Sequence, residues 1–265
     1  MQRLIGWTFL LAIAVGAVAV SASDVRASQN GSSIGIAFGR NHTPDSTMDP
    51  SEVAGAPGFE TGNWYNALGG GVGTSTGGFF PFVEDVNGSS VSLCDTTVTW
   101  QAGGTWSSTG GGEENNNFAG TNDSPSPDRH LMTGYIDTYD FPATTTVTVT
   151  SLPADIAGSY SVVVYTMGGV PNRPAVYTVN GGSPIYIIPS GPEDPTKGFS
   201  TGTTHQGLYD GPDYVQAVGD DPAFGMNDWG NYFVVTGLSG DVTITAQAST
   251  FRAVINAIEI VATPQ

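Results

Sequence analysis

The feature that most limits what this chain can become is a rhythm. Short runs rich in β-branched and aromatic residues are each closed by a cluster of Gly, Pro, Asn or Ser. Residues 144–152 (TTTVTVTSL) are nearly all β-branched, and residues 33–39 (SIGIAFG) place Ile34, Ile36 and Phe38 at alternate positions. Such side chains lose rotamer freedom in a helix but fit a pleated surface, where every second residue shares a face. Similar runs at 79–86, 96–101, 132–137, 159–167, 176–180, 185–188, 232–236, 241–248 and 251–262 predict further strands. Gly181-Gly182 reads as a tight hairpin turn, and Gly237 to Gly240 as another. No stretch sustains a helical period. Asp49-Pro50-Ser51-Glu52-Val53 offers one turn, with Asp49 as cap and Pro50 in first position. Many strands with little helix predict an all-β fold, an antiparallel sandwich or barrel, and the expectation adopted is a single antiparallel β-sandwich.

Composition narrows the function. Among 265 residues, 7 Lys+Arg face 24 Asp+Glu, a formal net charge of −17, yet only 12% of residues are charged. No basic stripe is available for phosphates or for an anionic membrane surface, which argues against nucleic acid and membrane partners. The 12 Phe, 10 Tyr and 5 Trp supply a core. Residues 1–27 read as a signal peptide, with Arg3 before an uncharged apolar run at 4–20 and small residues after it. A retained membrane anchor is the alternative. The expectation is a secreted protein, extracellular or at the cell surface, with one domain over residues 28–265 and no membrane contact after cleavage. Cys94 is the lone cysteine, so no disulfide forms within one chain; it reads as a small buried hydrophobe.

Two segments, 106–129 and 189–228, are long and rich in Gly, Pro, Asn and Asp, the composition of functional loops. Trp64 and Tyr65 beside Asn66, and Trp229 near Asn231, set rings next to amides. That mixture suits sugars, whose apolar C–H faces stack on rings while their hydroxyls take hydrogen bonds. The same residues equally suit core edges and turns. Arg129 either clamps a ligand carboxylate or bridges neighbouring acids. Asp123 and Asp128 are the first candidate metal ligands, and Asp210, Asp213, Asp220 and Asp221 form a second cluster. Hard oxygen donors of this kind fit a structural calcium, whereas His42, His130 and His205 lack zinc-type spacing. Gly73-Thr74-Ser75-Thr76-Gly77 matches a nucleophile-elbow pattern but sits in what reads as a Gly/Ser/Thr loop, without the strand-to-helix context it needs. Adjacent acids such as Glu113-Glu114 point to opposite faces of a strand, so they do not form a glycosidase pair.

Several blocks together resemble a family of secreted bacterial β-domains of unassigned function. They are residues 33–39, 48–55 (MDPSEVAG), 63–66 (NWYN), 97–100 (TVTW), 128–137 (DRHLMTGYID) and 252–261 (RAVINAIEIV). The closing strand is also similar to the last strand of malectin-like and galactose-binding-like domains. The resemblance implies a jelly-roll sandwich of the kind used for carbohydrate recognition, and carries over no catalytic residue. The functional expectation is a secreted, non-catalytic module binding an extracellular glycan or cell-surface component. The site is expected at Trp64, Tyr65, Asn66, Arg129, Trp229 and Asn231. The alternatives are a structural or adhesive cell-surface protein and a glycoside hydrolase.

Overall fold

The computed structural model describes residues 33–38, 47–49, 51–62, 64–67, 72–76, 83–84, 90–91, 96–107, 127–138, 143–168, 173–189, 214–225, 228–249 and 252–263. The signal peptide, Cys94, Asp123, Asp210 and Asp213 lie outside them. In chain order the strands begin with β1 (Ser33–Ala37), β2 (Tyr65–Asn66), β3 (Val72–Thr76), β4 (Val83–Glu84), β5 (Ser90–Val91), β6 (Thr97–Gln101) and β7 (Gly104–Ser107). Helix α1 (Pro127–Thr133) leads into β8 (Gly134–Asp137) and β9 (Thr144–Thr150). Helix α2 (Ala154–Ala157) leads into β10 (Tyr160–Tyr165), β11 (Ala175–Val179) and β12 (Ile185–Pro189). The chain ends with β13 (Trp229–Gly230), β14 (Tyr232–Leu238), β15 (Val242–Ala248), β16 (Val254–Ile255) and β17 (Ala257–Ala262).

Strands dominate, and the fold is all-β. One sheet runs β14-β10-β17-β1-β2 and a second runs β13-β12-β11-β15-β9-β6-β3. A third, β16-β8-β7, and the pair β4-β5 complete the set. Pairing is antiparallel except at two margins, β1 with β2 and β12 with β13, which are parallel. The first and last strands lie together as expected, in register from Ser33 opposite Val261 to Ala37 opposite Ala257.

The two large sheets pack on each other in a sandwich-like arrangement. In the seven-stranded sheet, alternation decides which residues enter the core. In β9, Thr145, Val147 and Val149 are buried while Thr144, Thr146, Thr148 and Thr150 are not. Across from them Val242, Ile244, Ala246 and Ala248 of β15 point inward. They meet Ile34, Ile36, Val162, Val164, Phe233, Ile258 and Ile260 of the five-stranded sheet. Each wholly buried Val or Ile contributes about 1.5–3 kcal/mol relative to exposure.

The five-stranded sheet, by contrast, is covered on both faces. All six residues of β17 are buried, and so are the last four of β10. The outer cover is a second apolar cluster in which Met48, Ala54, Ala56, Trp64, Leu131 and Met132 lie over Ala37, Val163, Tyr165 and Ala257. Gly35 makes this possible: a Cβ there would sit 2.6 Å from Trp64 Cε3.

Three local expectations change. Residues 127–133 form a helix, where the run 132–137 was expected to be strand from its start. Pro127 opens α1 and Asp128 stands in its first turn, but seven residues are too few to display a period. Residues 72–76 are not loop: they form β3, antiparallel to β6 with Ser75 opposite Val98. The sheet edge recruits a Gly-rich segment of weak propensity. A Ser within a strand is no nucleophile elbow. The hairpin turns on Asn180-Gly181, one residue earlier than expected. Both have positive φ (50° and 65°), and Gly182 N–H donates to Val179 C=O at 2.9 Å. The pair supplies the left-handed conformations that a twisted hairpin needs. The turn at 49–53 is present as an Asp49–Glu52 reciprocal cap, with Ser51 N–H on Asp49 Oδ1 and Asp49 N–H on Glu52 Oε2.

Candidate functional site

Four residues named from the sequence, Trp64, Asn66, Asp128 and Asn231, belong to the layer that covers the five-stranded sheet, where their polar atoms are used by the fold. Trp64 is 3% exposed. Its indole N–H donates to Thr61 C=O at 3.0 Å, and its ring meets Tyr165 edge-on at 6.0 Å. Asn66 pairs with the main chain of Met48, accepting its N–H and donating to its C=O. Asp128 Oδ1 accepts from Gly55 N–H at 3.0 Å and Tyr214 O–H at 2.8 Å, which ties α1 to two loops. Beside it, His130 Nδ1 donates to Glu52 Oε1 at 2.6 Å. Asn231 is wholly buried and accepts from Val215 N–H. The structure therefore brings Trp64, Asn66, Asp128 and Asn231 into one neighbourhood, linked through Tyr165, Tyr214 and Val215.

Tyr65 and Trp229 are different. Each is half-buried on a two-residue strand at the margin of its sheet, Tyr65 opposite Ile36 and Trp229 opposite Ile188. Arg129 lies on α1. Among the described residues, no three His, Cys, Asp or Glu side chains converge as a metal site.

A constellation not singled out from the sequence occupies the three-stranded sheet. Trp106 is 38% exposed, and among the described residues no other aromatic side chain is exposed. It stands on β7, at the edge of the sheet, opposite Tyr135; Gly104 stands opposite Asp137. Directly opposite residues and residues two apart on a strand share a face, so Trp106, Tyr135 and Asp137 project to the same side, Asp137 about 7 Å further along the strand. Asp137 is buried, and its Oδ2 accepts from Arg252 Nη1 at 3.1 Å. The Arg252 side chain keeps 24% of its surface. A buried carboxylate thus holds a partly exposed guanidinium, and Trp106 stands on the neighbouring strand β7.

Chemically this face offers a flat apolar ring and fixed N–H donors, with no net charge because the ion pair is balanced. The available signal in the sequence was scarcity. With only 7 Lys+Arg, each Arg paired to a buried acid carries weight, and Arg252 and Asp137 fall inside two of the blocks quoted above.

No family model matches the chain, and no curated protein is similar to it in sequence. Solved structures resemble it weakly. An exo-β-1,3-galactanase from Phanerochaete chrysosporium, solved with galactose, is 17% identical with a TM-score of 0.26, over 48% of this chain and 23% of that one. The matched part is therefore under a quarter of the galactanase. A family 35 carbohydrate binding module from Clostridium thermocellum is 15% identical, also with a TM-score of 0.26, over 48% of this chain and 77% of that one. The class the fold defines is an all-β, sandwich-like domain.

Proposed function

We propose that this protein is a secreted, non-catalytic carbohydrate-binding module built as a jelly roll, and that it binds neutral glycan on the Trp106 face. The observation that carries the reading is the exposure of Trp106 beside the Asp137–Arg252 pair. An indole left open to water on a small, polar strand gains by stacking on the C–H face of a sugar. The guanidinium, already oriented, loses little entropy in donating to hydroxyls. A net charge of −17 disfavours polyanions, so the expected ligand is uncharged. Tyr65 and Trp229, half-buried at sheet margins, are further proposed contacts, together with Arg129. The side chains of Trp64, Asn66 and Asn231 are engaged within the cover over the five-stranded sheet, so the proposed contact surface is the Trp106 face instead.

Glycan-array binding of the chain without residues 1–27 tests the proposal. Neutral polysaccharides or oligosaccharides are expected to be retained over sulfated and uronic ones. An absence of binding to every glycan would return the account to a structural or adhesive cell-surface protein.

A further inference from the structure

A second location offers chemistry that sugar binding does not use. Among the described residues three buried side-chain oxygens have no hydrogen-bond partner, and two are the hydroxyls of Thr145 and Thr166. The third is Asp228 Oδ2, on a side chain that is 0% exposed. Its other oxygen, Oδ1, accepts from Asp220 N–H at 3.1 Å, so the carboxylate lies against the Asp220-Asp221 main chain. Asp228 N–H donates to Gly225 C=O at 3.1 Å, and Asp221 folds back under the same turn, accepting Ala223 N–H on Oδ1. Asp221 Oδ2 rests over Gly225, where a Cβ would come within 2.6 Å of it.

A buried carboxylate oxygen without a partner calls for a cation or a hydrogen-bond donor. The ion pairs among the described residues, His130 with Glu52 and Arg252 with Asp137, do not reach Asp228. Water would satisfy the lone pairs but bring no charge, while Asp220 and Asp221 add negative charge next to it.

We infer that Asp228 is the anchor of a binding site for a hard divalent cation of the calcium type, flanked by residues 219–225. Two carboxylates, from Asp228 and Asp221, with main-chain carbonyl oxygens and water form a shell that calcium accepts, because it takes six to eight oxygen ligands in irregular geometry. The inference stands apart from the sugar proposal: the residues differ, and neither depends on the other.

The experiment uses the chain without residues 1–27, stripped with chelator. At a calcium concentration about a hundredfold above Kd, its Tm is expected to rise by about 5–10 °C. Terbium luminescence, sensitised by nearby Trp229 and Tyr186, is expected to be displaced by calcium. Asp228→Asn keeps an acceptor for Asp220 N–H and is expected to lose the Tm shift. Asp155→Asn, at an exposed acid on α2, is expected to keep it. Should Asp228→Asn not fold, Asp221→Asn decides, with a tenfold or greater loss of calcium affinity expected. An unchanged Tm with no terbium signal in the parent chain overturns the inference. So does a full calcium response in Asp228→Asn, or in Asp221→Asn where that variant decides.

Discussion

Glu259 is a carboxylic acid in the middle of an apolar sheet. It lies on β17 between β1 and β10, opposite Gly35 and Val163, and is buried. Tyr165 O–H donates to its Oε2 at 3.2 Å and in turn accepts Ala56 N–H at 3.1 Å. Burial pushes the Glu259 carboxyl well above its ordinary value of 4.5, against the partial relief of the tyrosine bond, and the nearby Glu60 adds to the rise. The folded chain therefore holds a proton that the unfolded chain releases. Its contribution to stability is full below about pH 4.5 and is lost as pH climbs through the raised value. Melting curves from pH 5 to 8 should show Tm falling in the parent chain and falling less in Glu259→Gln; equal slopes would contradict this. Gly35, opposite Glu259, gives a second residue-scale outcome. Gly35→Ala should cost about 1–3 kcal/mol by overpacking against Trp64. Trp64→Phe in the same chain, lacking Cε3 and Cζ3 of the indole, should recover part of that loss in denaturant titrations.

At the scale of elements, one asparagine holds several segments. Asn256 separates β16 from β17, and its side chain bonds three main-chain groups. Nδ2 donates to Met132 C=O at 2.8 Å and Gly134 C=O at 3.0 Å, and Oδ1 accepts Met167 N–H. Its own N–H and C=O bond Tyr165 and Phe38. Thus β1, β10, the α1–β8 junction and the two last strands meet at a single buried amide. Asn256→Ala strands three buried groups and should destabilise the fold by about 3 kcal/mol or more in chemical denaturation, with Asn256→Asp costing at least as much. A loss under 1 kcal/mol would contradict the role. Strands were the legible part of the sequence, because alternation in residues such as Thr144 to Thr150 reports directly on one buried face. Helix α1 was not, since seven residues cannot display a period. The cover over the five-stranded sheet was legible only as a near-continuous apolar run in β17, which marks burial on both faces.

For the whole molecule, the excess acid coexists with a nearly uncharged interior in which the buried acids are individually answered. Asp137 has Arg252, and Glu259 has its proton and Tyr165. Asp228 is the exception that carries the cation inference. The site was less legible than the fold for a physical reason. Trp64 and Trp106 have similar small and polar neighbours in the sequence, but packing over Gly35 buries the first, while the edge position of β7 opens the second. Sequence neighbours report the chemistry of a ring and not its exposure. The central claim is that the exposed ring is the binding surface, and calorimetric titration of a neutral glycan selected on the array tests it most directly. Trp106→Ala should weaken affinity at least tenfold in a chain that still melts cooperatively. Unchanged affinity in Trp106→Ala would contradict the account.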